Sequence, residues 1–402
     1  MSNPVVAIVR CPDYETESLT TAISRLVSLI GGLPTISQPN ASVFIKINHL
    51  GNHPISRAVN THPELVSRFA TTLSGSTSNI TIGDGLDSSD DSPFITTGYE
   101  LVCRRQGLRL LNLCGRGYRT VAIPQARIVC EVPLPLTVLE ADRVVSMPKL
   151  KTHSLTLLTG AIKNSYGYLP HAFRVGLHRD HVLPDRFSAV VVDVFAARRP
   201  DFVLMDAIDA LEGNGPSAGG RPRRLGLLLA GTDAVAVDAV ASALVGLDPM
   251  EVATTRIADA SGLGVGQLDR IEIVGERLQD VRCPDFALPR THFIMGAVIS
   301  RVPGPVISVA SRVARATRLW PRVDRRRCIG CGLCVSHCPK EAVRIVDGKA
   351  LIDYDECISC FCCQEFCQSD AVRPTRSIPG WVMVAGLRAV RKVKRLLVPR
   401  KR

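Results

Sequence analysis

The sequence has few aromatic side chains and no segment typical of an export signal or a membrane-spanning helix. Aromatic residues make up 5% of the 402 residues, which disfavours the stacking platforms that bind single-stranded nucleic acid. The opening MSNPVVAIVR has no basic stretch followed by a long apolar run. No uncharged apolar run reaches the roughly 18 residues that a spanning helix needs. We therefore expect a cytoplasmic protein and do not expect nucleic acid as a partner.

Motifs for the common nucleotide cofactors are also missing. The glycine-rich stretch EGNGPSAGG (212–220) is not followed by Gly-Lys-Ser/Thr, so it is not a Walker A loop. No G-x-G-x-x-G opens a helix after a strand, so a dinucleotide-binding fold is unsupported. No C-x3-C-x2-C occurs either, which leaves no cluster loop of the radical S-adenosylmethionine type.

Cysteine, by contrast, is abundant, with fourteen in the chain. Without an export signal, such a number favours metal binding in a reducing compartment over a disulfide framework. Five of them are scattered outside any metal-ligand spacing, and we expect these to be buried structural thiols. They are Cys11, Cys103, Cys114, Cys130 and Cys283.

The other cysteines form an internal repeat. CIGCGLCVSHCP (328–339) has the spacing C-x2-C-x2-C-x3-C-P, and CISCFCCQEFC (357–367) repeats that spacing 29 residues later. Three thiolates at this spacing hold three irons of one cubane, and the fourth thiolate turns to the other cluster. A pair of tetrahedral zinc sites is the alternative, but this repeat suits cubanes better than zinc knuckles.

The arrangement resembles a bacterial-type ferredoxin with two 4Fe–4S clusters. The resemblance implies one cluster on Cys328, Cys331, Cys334 and Cys367, and another on Cys357, Cys360, Cys363 and Cys338. Gln368 stands where the motif usually has proline, and Cys362 competes with Cys363 as a ligand but breaks the even spacing. The expected result is a small α+β ferredoxin-like domain over residues 324–376.

The net charge of +12 is concentrated on both sides of this repeat. Residues 301–327 hold eight arginines and one aspartate, and residues 386–402 hold eight basic and no acidic side chains. These segments are either solvated basic faces or contacts for an anionic surface or an acidic redox partner.

Residues 1–290 predict an α/β domain with a mostly parallel sheet. Apolar strand-like runs alternate with stretches of helical periodicity. The predicted strands are 5–9, 42–48, 79–84, 142–149, 201–206, 224–231 and 270–275. The predicted helices are 18–31, 62–73, 233–246 and 250–262, with Asp233 as an N-cap and Gly246 and Gly262 as stops.

Lysine, histidine and aspartate side chains follow several of these strands. In parallel sheets the ligand usually sits beyond the carboxyl ends of the strands. Each such residue alone is typically a surface or capping group. Together they predict a pocket for an anionic or carbonyl-bearing ligand, or for a metal or cofactor.

Motifs through this region resemble those of the domain of unknown function 362 family. They are FIKINHLGNHP…NTHPELV, ITIGDG, MPKLKTHSLTLLTGAIKNSYGYLP, MDAIDALEGNGPSAGG and LLLAGTDAVAVDAVASALVGLDP. Members of that family often carry a ferredoxin segment after this domain. The resemblance implies a shared pocket but names no substrate. Its residues would be Lys46, His62, Asp84, Lys149, Lys151, His153, Lys163, Asn164, Asp206 and Asp233.

Two functions follow as hypotheses. In the first, the chain is an iron–sulfur oxidoreductase that passes single electrons between the clusters and a small-molecule substrate or cofactor in the α/β domain. In the second, it is a non-catalytic carrier that delivers electrons to a redox partner protein. Residues 291–323 would be an apolar and basic linker between the two domains.

The segment 377–402 predicts a basic amphipathic helix. Apolar residues at 381, 384, 387, 390, 393 and 397 fall on one helical face, with arginine and lysine on much of the rest. This face would pack on the protein's own surface or lie on anionic lipid. Peripheral contact with the inner face of the cytoplasmic membrane is our expectation.

Overall fold

A computed structural model describes residues 3–289, apart from 34, 35, 37, 76 and 78, and residues 319–376. These residues form two compact units, which divide after Pro289. The basic tail 377–402 and residues 291–318 of the predicted linker lie outside the described residues. The domain boundaries stay predictions, and the second unit's first strand already begins at Leu319.

The first unit contains twelve strands among its described residues, ten of them in one sheet. The strands are β1 (Val5–Arg10), β2 (Val43–Ile47), β3 (Ile80–Asp84), β4 (Arg109–Asn112), β5 (Tyr118–Ala122), β6 (Glu131–Pro135), β7 (Arg143–Met147), β8 (Lys149–His153), β9 (Leu157–Thr159), β10 (Phe202–Gly213), β11 (Gly220–Gly231) and β12 (Glu272–Gly275). Eight follow the order β12-β1-β11-β10-β7-β2-β3-β4, while β8 pairs with β10 and with β9. In that row β11 alone runs antiparallel to its neighbours. The predicted α/β domain with a mostly parallel sheet is confirmed.

Helices cover both faces of the sheet. They are α1 (Thr16–Leu29), α2 (Pro63–Ser74), α3 (Ser92–Thr96), α4 (Tyr99–Arg105), α5 (Leu136–Leu139), α6 (Ala161–Asn164), α7 (His171–Asp180), α8 (Pro184–Ala197), α9 (Ala234–Leu244), α10 (Ala253–Ala260) and α11 (Leu278–Val281). Short 3₁₀ turns cover Ile55–Arg57, Ser165–Tyr168, Pro249–Glu251 and Leu268–Arg270. Successive strand residues point to opposite faces. In β1, Val6 and Ile8 therefore join the core under α8 and α9, whereas Ala7 and Val9 join the core under α1 and α2.

All four predicted helices form, with ends shifted by a few residues. Asp233 caps α9 by accepting hydrogen bonds from Val235 N (2.8 Å) and Ala236 N (3.1 Å). Gly246 and Gly262 follow helix ends with φ of 81° and 67°, a conformation in which a side chain would be strained.

Strands β4, β5, β6 and β9 and helices α3 to α8 and α11 were not predicted from the sequence. In α8, the run Ala189–Phe195 is buried on every side, and its one polar residue, Asp193, is itself buried, so the run shows no exposed polar face. Strand β10 does not end at Asp206 but continues to Gly213, because it pairs with β11 in a long hairpin. The turn of this hairpin covers residues 214–219, so the glycine-rich stretch 212–220 is mostly turn, with only its ends in the two strands. Lys149 and Lys151 lie in a separate strand, β8, whereas the predicted fourth strand ran without a break from 142 to 149.

The second unit repeats one building plan. Strand β13 (Leu319–Val323) pairs with β16 (Val372–Arg376), and β14 (Val343–Val346) pairs with β15 (Lys349–Ile352). Short helices α12 (Leu333–Ser336) and α13 (Cys362–Glu365) follow the two cysteine loops. Cysteines and small apolar residues fill its core.

Candidate functional site

A buried ion pair lies at the carboxyl ends of β2 and β3. Lys46 Nζ is 2.7 Å from Asp84 Oδ1, and the side chains are 1% and 3% exposed. Asp84 also accepts hydrogen bonds from His49 N and Gly85 N, each at 2.7 Å. Burial raises the pKa of Asp84 and lowers the pKa of Lys46, while each partner's charge opposes the shift. The pair is thus held by the fold in a site that disfavours both charges.

The backbone of the 160–168 segment closes over this pair. A Cβ atom on Gly167 would lie 2.8 Å from both Asp84 Oδ1 and Lys46 Nζ, so only glycine allows this approach. Asn164 Oδ1 accepts from Lys46 Nζ (3.4 Å) and from Asn48 Nδ2 (3.3 Å). Lys163, on the same helix, lies over the Tyr166 ring at 5.4 Å.

Asp238 of α9 fixes the position of this segment. Its carboxylate accepts hydrogen bonds from Ala161 N (2.7 Å) and Ile162 N (3.0 Å). A Cβ atom on Gly160 would lie 2.2 Å from that carboxylate, so the backbone can approach only as glycine. Burial raises the pKa of Asp238 to about 7.

A second buried ion pair joins β8 to β10. Lys149 Nζ is 2.9 Å from Asp206 Oδ2, and the side chains are 2% and 0% exposed. Tyr14 bridges the pair: its hydroxyl accepts from Lys149 Nζ and donates to Asp206 Oδ1, both at 2.9 Å. His62 N donates to Asp206 Oδ2 at 2.9 Å, and the His62 ring stacks on Tyr14 at 3.7 Å.

Three histidines in this region are neutral at physiological pH. Burial lowers the pKa of His49 to about 3 and those of His53 and His62 to about 4. The charge of Lys151 adds to this effect at His49 and His53, and Lys151 Nζ donates to Val59 O at 2.8 Å. Neutral imidazoles offer one donor and one acceptor each.

The structure places most of the predicted site residues in the two ion pairs, in hydrogen bonds to them, or, for Lys151 and Lys163, close enough for their charges to act on His49 and Lys46. The residues so placed are Lys46, His62, Asp84, Lys149, Lys151, Lys163, Asn164 and Asp206. His153 Nδ1 accepts from Leu155 N and Thr156 N, contacts that shape its own turn. Which of these residues act on a ligand stays a prediction.

Asp233 does not belong to this group. Strand β11 runs antiparallel, and its carboxyl end at Gly231 pairs with Val203 and Val6, near the starts of β10 and β1. Asp233 therefore lies at the opposite edge of the sheet, where it borders a groove of about 790 Å³.

Tyr14 is the site residue that sequence reasoning missed. It comes four residues after β1, at the same carboxyl edge as the other strand ends. A second signal was available in composition. Residues 1–300 contain four lysines, at 46, 149, 151 and 163, and every other basic side chain there apart from histidine is arginine. All four lysines lie at this edge.

The cysteine loops form a second site. Burial raises the pKa of Cys334 to about 11, and the charges of Cys331, Cys328 and Cys367 add to the shift. The thiols that act on Cys363 are Cys360, Cys357, Cys334 and Cys338. Cys367 is thus close enough to act on Cys334, and Cys338 is close enough to act on Cys363.

Backbone amides point at several of these sulfurs. Ala350 N and Ala371 N lie 3.3 and 3.2 Å from Cys328 Sγ and Cys367 Sγ. Ala342 N lies 3.3 Å from Cys338 Sγ, and Ser359 N lies 3.4 Å from Cys357 Sγ. Such donors stabilise thiolate ligands and tune cluster potentials, so the residues present fit iron–sulfur clusters.

Cys362 lies between Cys360 and Cys363 in the sequence. It is 3% exposed, and it shares a side-chain hydrogen bond with Cys360. The equivalent position of the cysteine repeat that begins at Cys328 is Leu333. Within the described residues, no helix is long and apolar enough to span a lipid bilayer.

Comparisons with known proteins agree with this division. A family model described as Domain of unknown function (DUF362) matches residues 43–243, half of the chain. A 4Fe-4S dicluster domain matches residues 321–368, so the chain carries a domain of the kind that binds 4Fe–4S clusters.

A thylakoid-associated protein of Synechocystis sp. is 28% identical over 298 residues, which cover 71% of this chain and 91% of that protein. The solved lactate racemase apoprotein from Thermoanaerobacterium thermosaccharolyticum is 11% identical with a TM-score of 0.35. That match covers 51% of this chain and 50% of the racemase chain, so this chain spans about half of that protein's length.

Proposed function

This chain belongs to the Domain of unknown function (DUF362) family, and from that premise we propose that it is an iron–sulfur oxidoreductase. Two 4Fe–4S clusters in the second unit would exchange single electrons with a small anionic or carbonyl-bearing molecule. That molecule binds at the edge of the sheet that carries Lys46, Lys149, Lys151 and Lys163, which we call the lysine-rich edge. One cluster takes Cys328, Cys331, Cys334 and Cys367, and the other takes Cys357, Cys360, Cys363 and Cys338. The thiol neighbours of Cys334 and Cys363 support this exchange of the fourth ligand.

The observation that carries the proposal is the placement of lysine. Arginine supplies all the other cationic side chains of residues 1–300, yet the four lysines meet at one edge, and three of them are 1% exposed. A buried charge is costly, and a buried ion pair is weak evidence for stability. Lysine differs from arginine in that its pKa shifts readily on burial, which suits it to proton transfer.

The residues at this edge support a role in the reduction of a carbonyl group. That reaction takes two electrons and two protons per molecule. Bound clusters would supply the electrons one at a time, and the lysine ammonium groups would stabilise negative charge as it develops on oxygen. Lys149, Tyr14 and Asp206 form a hydrogen-bonded chain beside half-buried His62, which supports proton movement from the surface.

The test is reoxidation of the reduced clusters by the full chain alone. Protein reduced anaerobically with dithionite is mixed with a panel of 2-oxo acids, and cluster absorbance is followed. We expect at least one compound to restore absorbance faster than buffer. Lys151→Ala should abolish that reaction and leave reduction by dithionite intact, while Lys340→Ala, at an exposed lysine of the second unit, should change neither.

One observation favours the alternative of a non-catalytic electron carrier. The Lys46 ammonium already has three acceptors: Ile47 O at 2.8 Å, Asp84 Oδ1 at 2.7 Å and Asn164 Oδ1 at 3.4 Å. A lysine so engaged has a structural role available to it. If Lys151→Ala lowers substrate-dependent oxidation and dithionite reduction equally, or if no compound in the panel reacts, the carrier function is preferred.

We also propose a cytoplasmic location with peripheral attachment to an anionic membrane. The support is the basic amphipathic pattern of residues 377–402 and the thylakoid association stated for the Synechocystis relative. The test is co-sedimentation with phosphatidylserine-containing vesicles, at low and high salt. The full chain should sediment at low salt, whereas a version ending at Arg376 should not. Equal sedimentation would exclude the tail as an anchor.

A further inference from the structure

The two cysteine loops share one backbone plan. We define the first loop as residues 328–334 and the second loop as residues 357–363. Each follows an aspartate whose carbonyl accepts from the first cysteine: Cys328 N to Asp324 O at 3.0 Å, and Cys357 N to Asp353 O at 3.1 Å. Each aspartate carboxylate also caps the residue two positions on, at 3.0 Å in both. Differences between the loops therefore come from side chains.

The loops differ in exposure. In the first loop Ile329 is 65% exposed and Cys331 is exposed. At the equivalent positions of the second loop, Ile358 is half-buried and Cys360 is 9% exposed. Phe361, which is 3% exposed, replaces Gly332 and covers the loop further. The first loop thus presents one cluster ligand and one apolar side chain to the surroundings.

The loops also differ in the sign of the charge beside them. Arg325, Arg326 and Arg327 precede the first loop, whereas Tyr354, Asp355 and Glu356 occupy the equivalent positions before the second. Arg327 is bound to Asp370 at 2.7 Å. Arg325 and Arg326 are exposed and form no ion pair with a described residue.

These differences identify an entry point for electrons. Electron transfer weakens steeply with distance, so a partner must approach the cluster whose ligand is exposed. Opposite charges at a contact increase the association rate and fix orientation. An exposed apolar side chain that follows exposed arginines in the chain matches an acidic protein surface with an apolar centre.

We propose that the first loop is the docking surface for an acidic electron-transfer protein, and that its cluster is the one that exchanges electrons with that partner. The exchange moves one electron between the cluster and the partner's redox centre, with no proton and no bond change. This inference rests on the cluster half of the proposed function, and it is independent of the lysine-rich edge.

The first test uses small one-electron acceptors of opposite charge. Dithionite-reduced full chain is mixed at low ionic strength with ferricyanide, an anion, or with hexaammineruthenium(III), a cation, in a stopped-flow instrument. Arg325→Glu/Arg326→Glu should slow oxidation by ferricyanide about tenfold and accelerate oxidation by the ruthenium complex. The matched change in the second loop, Asp355→Arg/Glu356→Arg, should alter both rates by less than twofold. A larger effect from the second-loop variant would overturn the proposal.

The second test measures binding without electron transfer. A fluorescent polyglutamate peptide serves as the acidic probe, and its anisotropy is followed as the anaerobic protein is added. Arg325→Glu/Arg326→Glu should weaken the salt-sensitive binding severalfold, and Asp355→Arg/Glu356→Arg should not. Equal affinity in all three proteins would refute docking at the first loop. Iron content, measured on each variant, separates that outcome from a failure of cluster assembly.

Discussion

The Lys46–Asp84 pair allows a quantitative test of how the fold holds the lysine-rich edge. At 2.7 Å and an effective dielectric constant of 20, the attraction is about 6 kcal/mol, and desolvation opposes it. Lys46→Met leaves a buried carboxylate without its counter-ion, and Asp84→Asn leaves a buried ammonium without one. We expect each to lower the free energy of unfolding by about 3–5 kcal/mol. The double variant should lose less than the sum, because no charge is left unpaired.

The matched control is an exposed pair of the same length. Arg105 Nη2 lies 2.7 Å from Glu64 Oε1, with side chains 56% and 41% exposed. The double-mutant cycle of Arg105→Met and Glu64→Gln should give a coupling energy of at most about 1 kcal/mol. The two cycles therefore differ in burial and not in distance.

The assay must report on the first unit alone. Both tryptophans, at 320 and 381, lie outside residues 3–289, so tryptophan fluorescence would follow the wrong unit. Hydrogen exchange of the peptides that cover β2 and β3, measured by mass spectrometry across a denaturant series, follows the correct one. Additive losses in the buried cycle, or equal coupling in both cycles, would refute the reasoning from burial.

Three further predictions concern cluster ligands, pH and backbone strain. Anaerobically purified protein should hold about eight irons per chain. The Cys338→Ser variant should lose about half of them, whereas the Cys362→Ser variant should lose none. Two zinc ions per chain without visible absorbance would contradict the cluster assignment. The folded-state pKa of His53, about 4, lies below its usual 6.5, so the unfolded chain binds more protons and the free energy of unfolding falls as pH decreases from about 6.5 to 4. In denaturant titrations, His53→Gln should remove about 2 kcal/mol of the stability that is lost between pH 7.5 and 5. An unchanged pH profile would count against a neutral buried ring. Ser359 has a φ of 58° and a buried hydroxyl without a hydrogen-bond partner among the described residues. Ser359→Gly should therefore raise the free energy of unfolding of the second unit by about 1 kcal/mol, measured from the loss of cluster absorbance in denaturant. The converse change at the equivalent position of the first loop, Gly330→Ser, should lower that free energy.

Much of the candidate site could be predicted because its residues follow strands that the sequence marks clearly. Lys46 and Asp84 end short apolar runs, and parallel strands place such ends at one edge. The pairing of partners was not predictable. Lys149 meets Asp206 only because β8 adds to β10 in register, and Tyr14 joins them from a loop 192 residues away.

The sequence by itself determined the cluster chemistry and the alternation of strands and helices. Cysteine spacing specifies cubane ligation locally, and the two loops keep the same spacing and backbone plan. Only the tertiary structure decided where β10 ends and at which edge of the sheet Asp233 lies. Asp206 and Asp233 both looked like residues that follow a strand, but β10 continues past Asp206, and antiparallel β11 carries Asp233 to the opposite edge. Strand direction and register are set by packing between distant segments, and no local pattern encodes that information.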